Sequence, residues 1–161
     1  MSHAGSATKV GSEQARASRL TRLRMSSLGL VSMLILEFIL GIIYNLYGTA
    51  PTSKKSIGLF SSPDLALHVI LGILLFLAAA VQVVRAVGAR HALSVWLSAV
   101  GLVAIVAAGG AGLGFTGSGA SGASLGMSLA FAVALACYVA MVFVLPSGGS
   151  SRGSSEGSST T

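Results

Sequence analysis

The sequence predicts an all-α integral membrane protein, a four-helix bundle, and three observations lead there. Of 161 residues, 53% are hydrophobic and only 9% are charged, whereas a soluble domain carries about 25% charged residues. The apolar residues gather into four runs, each near the roughly 20 residues that cross a 30 Å hydrocarbon core at 1.5 Å per residue. The connectors are short or rich in proline, serine and glycine, and no run shows the period-two alternation of a membrane strand.

In chain order, residues 1–26 are rich in serine, alanine and arginine. They show no apolar periodicity and are expected to stay disordered, because they cannot bury enough surface to offset the entropy of ordering. The first membrane helix is expected over 27–47. Its apolar run is too long for a secretory signal and lacks a small-residue cleavage site, so it is expected to remain as a helix. The connector Gly48 to Pro63 holds two prolines among serines and threonines. The second helix is expected over 64–87, a tight turn at Gly88 to His91, the third helix over 92–115, a small uncharged connector at Thr116 to Gly122, and the fourth over 123–145. Residues 146–161 form a Ser/Gly tail, also expected to be disordered.

The net charge of +6 is a matter of topology, not of nucleic acid. Lys9, Arg16, Arg19, Arg22 and Arg24 precede the first helix, Arg85 and Arg90 lie at the second turn, and Arg152 follows the fourth helix. Only Lys54 and Lys55 fall on the other side. The positive-inside rule then predicts both termini in the cytoplasm, with the 48–63 loop outside the cell membrane. Trp96, Tyr44 and Tyr47 lie near helix ends as interfacial anchors do. Cys137 is the only cysteine, so no disulfide forms within the chain and no cysteine zinc cluster can be built; it is expected as a small core residue.

Helix 3 runs into Gly109-Gly110-Ala111-Gly112-Leu113-Gly114. Gly110 and Gly114 make a GxxxG pair, and Gly122 with Gly126 repeats the spacing in helix 4. Close helix packing is the expected result. Ionisable groups inside a membrane helix cost a few kcal/mol or more, so those that occur point to function. Glu37 sits mid-helix and is the candidate catalytic or proton-carrying group. His68, about one turn into helix 2, is the candidate metal or cofactor ligand, a proton carrier, or a hydrogen-bonded structural histidine paired with Asn45 or a carbonyl. Counting 1.5 Å per residue from the helix ends, the two differ in depth by about 9 Å, and no direct pair between them is predicted. Asn45, Tyr44 and Met127 lie nearer the level of His68. A site is therefore expected between helices 1, 2 and 4 in the outer half of the bundle. His91 is expected at the exposed end of helix 3. No Ser/His/Asp set, HExxH or metal-binding cysteine spacing is present, so hydrolytic chemistry finds no support.

The stretch from Glu37 through Leu40-Gly41 to Gly48, followed by an outer loop and by His68-Val69-Ile70-Leu71-Gly72, resembles one four-helix half of the heme A synthase family over about residues 27–145. Glu37, Leu40, Gly41 and Gly48 match the family's first-helix pattern, and His68 and Gly72 match its second. The departures are specific. Asn45 stands in place of one arginine, Val69 in place of the other, Leu65 in place of the carboxylate before the histidine, and Gly126-Met127-Ser128 where a second ligating histidine belongs. The resemblance implies a heme-associated membrane protein, a homodimer because a half-length chain needs a partner, with heme held by His68 alone, by His68 and Met127, or across the dimer. His/Met axial ligation is known chemistry for heme. The residues by themselves also admit a non-enzymatic accessory subunit of a larger membrane complex, docking through small-residue faces of helices 3 and 4, and a small proton-coupled carrier using Glu37. In each reading the lipid bilayer is the immediate partner and nucleic acid is not.

Overall fold

The computed structural model describes residues 4–48, 58–119 and 121–145. They form four helices, α1 (Ala4–Tyr47), α2 (Pro63–Ala89), α3 (Ala92–Ser118) and α4 (Ser121–Val144). All four are long and apolar enough to cross a membrane, and no strand occurs among the described residues. The tail from residue 146 onward, expected to be disordered, lies outside them.

The membrane helices fall within a few residues of their expected bounds, but α1 does not start at residue 27. It begins at Ala4 and runs for 44 residues, a correction to the disorder expected of the basic segment. Two causes act together. Adding turns to a helix already nucleated in the apolar segment is far easier than starting one, and alanine, arginine, glutamine and glutamate are good helix formers. There is also an apolar stripe that begins ahead of the apolar run. Leu20 and Leu23 lead at helical spacing into Leu30 and Leu34, with Leu23 only 2% exposed and Leu20 packed on the same core.

The caps explain the other boundaries. Ser62 caps α2, accepting a bond from the Leu65 N–H, with Pro63 at the first helical position and Asp64 in the first turn. Arg90 ends α2 in the left-handed conformation (φ 51°), its N–H donating to Val87 O. His91, expected to lie exposed, is half-buried and caps α3; its Nδ1 accepts from Ser94 N at 3.3 Å and sits 2.9 Å from Ser94 Oγ. Gly119 closes α3 at φ 66°, a conformation that glycine adopts without strain.

Each helix packs on its two neighbours, in the cyclic order α1, α2, α3, α4, and the diagonal pairs do not meet. Large apolar side chains point outward on all four, among them Leu46, Val84, Val103 and Phe143, which is the surface a bilayer requires. One end of the bundle carries Arg19, Arg22, Arg24, Arg85 and Arg90 and is called the arginine end. Its half is filled, by Leu23, Leu30, Ala86, Tyr138 and Met141. The other half holds a cavity.

Candidate functional site

The site begins with two spacings. On α1, Glu37 and Gly41 are four residues apart, and on α2 so are His68 and Gly72, which places each pair on one helix face. The helices run antiparallel and the pairs cross. A Cβ built on Gly72 would lie 3.0 Å from Glu37 Oε1, and one on Gly41 would lie 3.5 Å from His68 Cε1. Each long side chain thus rests on the bare backbone of the other helix.

Glu37 and His68 therefore meet, with Nδ1 3.2 Å from Oε1, a correction to the separate levels expected from helix depths. Their contacts with Gly72 and Gly41 put the two α-carbons one turn apart in depth, about 6 Å, and side chains crossing two glycines close that gap. Counting from helix ends neglected this reach. The Nδ1 to Oε1 approach is an ion-pair distance without hydrogen-bond alignment. Glu37 Oε2 and His68 Nδ1 are buried, and neither has a hydrogen-bond partner among the described residues. Shared between the two groups, one proton gives a carboxylate and imidazolium or a carboxylic acid and imidazole. Both are net neutral, as a low-dielectric site favours. The suggested bond from His68 to Asn45 is not formed; Asn45 is exposed at the mouth of the cavity.

The cavity measures about 730 Å³, within the range of roughly 300–1,000 Å³ typical of ligand pockets. Glu37, His68, Met127 and Asn45 all line it, as expected, and so do residues of α3, which the expectation of a site between helices 1, 2 and 4 left out. Gly109, Gly110 and Gly112 form part of its wall. Its floor is apolar. Leu34, Leu75, Ile105 and Ala134, one from each helix, belong both to the cavity lining and to the buried core.

The level of Met127 follows from neighbouring contacts. Phe131 on α4 stacks on Phe38 of α1, centroids 4.8 Å apart. Met127 is one turn from Phe131 and Gly41 is about one turn from Phe38, both away from the arginine end, so Met127 and Gly41 share a level. His68 lies against Gly41. His68 and Met127 consequently stand at one depth on diagonal helices, with the cavity between them. Met127 Sδ is 3.6 Å from where a Gly112 Cβ would be, so a glycine underlies each of the two side chains.

The GxxxG pairs are used by halves. A Cβ built on Gly114 would lie 3.9 Å from Ala123 Cβ and one on Gly126 3.9 Å from Ala111 Cβ, so α3 and α4 face each other through one glycine of each pair, while a Cβ on Gly110 or Gly122 would meet nothing within 4 Å. Gly126 is half-buried at this contact, whereas Gly110, Gly114 and Gly122 remain exposed. Cys137 is buried, as expected.

A second polar cluster, missed in the sequence, lies in the filled half. Gln82 is fully buried and donates to Ser27 Oγ at 2.9 Å and to Leu23 O at 3.2 Å, while its Oε1 accepts from Ser26 Oγ. Ser98 Oγ is 3.3 Å from Met141 Sδ, and Tyr138, whose hydroxyl has no hydrogen-bond partner among the described residues, packs on Gly101. The signal was available, since an amide inside an apolar run is anomalous for the same reason as Glu37. Among the described residues no three His, Cys, Asp or Glu side chains gather to hold a metal ion. Compared with models of known protein families, with curated proteins and with solved structures, the chain matches none.

Proposed function

We propose that this chain is a membrane-embedded binding protein that takes a largely apolar ligand into the cavity and holds it at the level of His68. The observation that carries this reading is the Glu37–His68 contact on the wall of a cavity of about 730 Å³. A bundle that only had to pack would fill that space with leucine and would have no need of a carboxylate and an imidazole.

Heme is the ligand that the resemblance to heme A synthase puts first, and the residues fit it. With Nδ1 turned to Glu37, the remaining His68 nitrogen, Nε2, is available to a metal, and a carboxylate at the far nitrogen is the usual way such a ligand is oriented. Met127, at the same depth across the cavity, offers a thioether. Bound there, heme would supply electron transfer or oxygen chemistry; Glu37 orients His68, and the apolar floor excludes water from the arginine side. The filled, apolar half beneath the cavity weighs against the carrier reading, which needs a path through the whole bundle. Docking of an accessory subunit through the α3 and α4 glycines is the second reading, since Gly110, Gly114 and Gly122 are exposed. The same proposal sets the arginine end in the cytoplasm, the bundle in the cell membrane and the protein as a homodimer.

An absorption spectrum of protein purified after expression with heme supplied tests the reading. A Soret band is expected, lost in His68→Ala and shifted in Met127→Leu. No band in the wild type would remove heme as the ligand.

A further inference from the structure

A second concavity lies outside the bundle, between α1 and α2 at the arginine end, and it does not depend on the ligand of the cavity. It measures about 350 Å³ and is lined by Ser26, Gly29 and Met33 of α1 and by Ala78, Val81 and Arg85 of α2. The sequence makes this groove directly. Gly29 and Ala78 withhold side chains at its centre, and a Cβ on Gly29 would meet nothing within 4 Å, so the backbone lies bare toward the outside. Val81 is 48% exposed and its neighbour on the rim, Leu77, is 53% exposed. The groove therefore faces lipid.

Its two ends differ in chemistry. Met33 and Leu77 close the membrane-centre end, while Arg85 stands at the other, about 12 Å away along α2. Arg22 is one turn before Ser26 on the same face of α1, and both Arg22 and Arg85 are exposed. Neither has an acidic partner among the described residues, where the only ion pair is that of His68 and Glu37. Arg19 is engaged differently, reaching Gly88 O at 3.4 Å.

The geometry points to a binding site for an anionic phospholipid, one acyl chain lying along Gly29 and Ala78 and the phosphate held between Arg22 and Arg85. A bare-backbone groove gives the chain van der Waals contact, and two unpaired guanidiniums at headgroup depth supply the opposite charge. A zwitterionic lipid brings the same phosphate together with a cation that two guanidiniums repel, so net charge favours the anionic lipid as occupant.

The test is native mass spectrometry of the full chain released from micelles containing equal amounts of phosphatidylglycerol and phosphatidylcholine with identical acyl chains. Wild type is expected to retain phosphatidylglycerol preferentially. Each of Arg22→Gln and Arg85→Gln should lower that preference about fivefold, the effect of one arginine near a charged headgroup. Gly29→Leu, whose Cβ would meet nothing within 4 Å on the groove side, should lose bound lipid while circular dichroism shows unchanged helix content. Inorganic phosphate should not compete. Equal retention of the two lipids by wild type, undiminished preference in the double arginine variant, or full retention by Gly29→Leu would each overturn the site.

Discussion

The contact between Glu37 and His68 can be weighed by a double-mutant cycle on ligand-free protein, using Glu37→Gln, His68→Leu and the pair together. At the observed 3.2 Å, opposite unit charges attract by about 5 kcal/mol at an effective dielectric constant near 20. Taking both groups out of water offsets much of this, and the side chains remain 23% (His68) and 14% (Glu37) exposed, so solvent screens them further. A coupling energy of about 1–3 kcal/mol is expected, read as the shift in unfolding midpoint on titrating dodecyl sulfate into mixed micelles. The glycines give an independent check. An alanine at Gly72 would press its Cβ to 3.0 Å from Glu37 Oε1, while one at Gly41 would reach only an ordinary 3.5 Å from His68 Cε1. Alanine favours a helix over glycine by up to about 1 kcal/mol. Gly41→Ala should therefore be neutral or stabilising, and Gly72→Ala should be less stable than it by about 1–2 kcal/mol and should weaken the coupling. Additive single mutants, within about 0.5 kcal/mol, or equal effects of the two alanines, would refute the crossed geometry.

Three further outcomes follow from the filled half. A Cβ on Gly101 would fall 2.8 Å from Tyr138 Cζ, and because that ring is fully buried, Gly101→Ala should destabilise by about 1–3 kcal/mol in the same titration. Tyr138→Phe removes a buried hydroxyl that has no hydrogen-bond partner among the described residues, so it should be neutral or stabilising by under about 1 kcal/mol. Gln82→Leu breaks the bonds to Ser26, Ser27 and Leu23 O and should cost roughly 1–2 kcal/mol, measured against Val81→Leu as a control on the lipid face.

The sequence by itself determined the fold class, the four membrane helices and the residues most worth suspecting. Hydrophobic length and charge placement are properties of a segment alone, and a membrane helix must satisfy its own backbone, so neither needs knowledge of the neighbours. Glu37 and His68 stood out for the same reason, as polar groups that lipid does not tolerate. Their meeting was decided by tertiary structure, because the α1 and α2 register and the two glycines under the crossing side chains exist only between helices. So was the role of the glycines. Gly114 and Gly126 bring α3 and α4 together, whereas Gly110, identical in local sequence pattern, lines the cavity. The start of α1 and the Gln82 cluster depended likewise on packing. Leu20 and Leu23 are apolar residues in a basic stretch, and they became part of a helix face only because a neighbouring core was there to bury them.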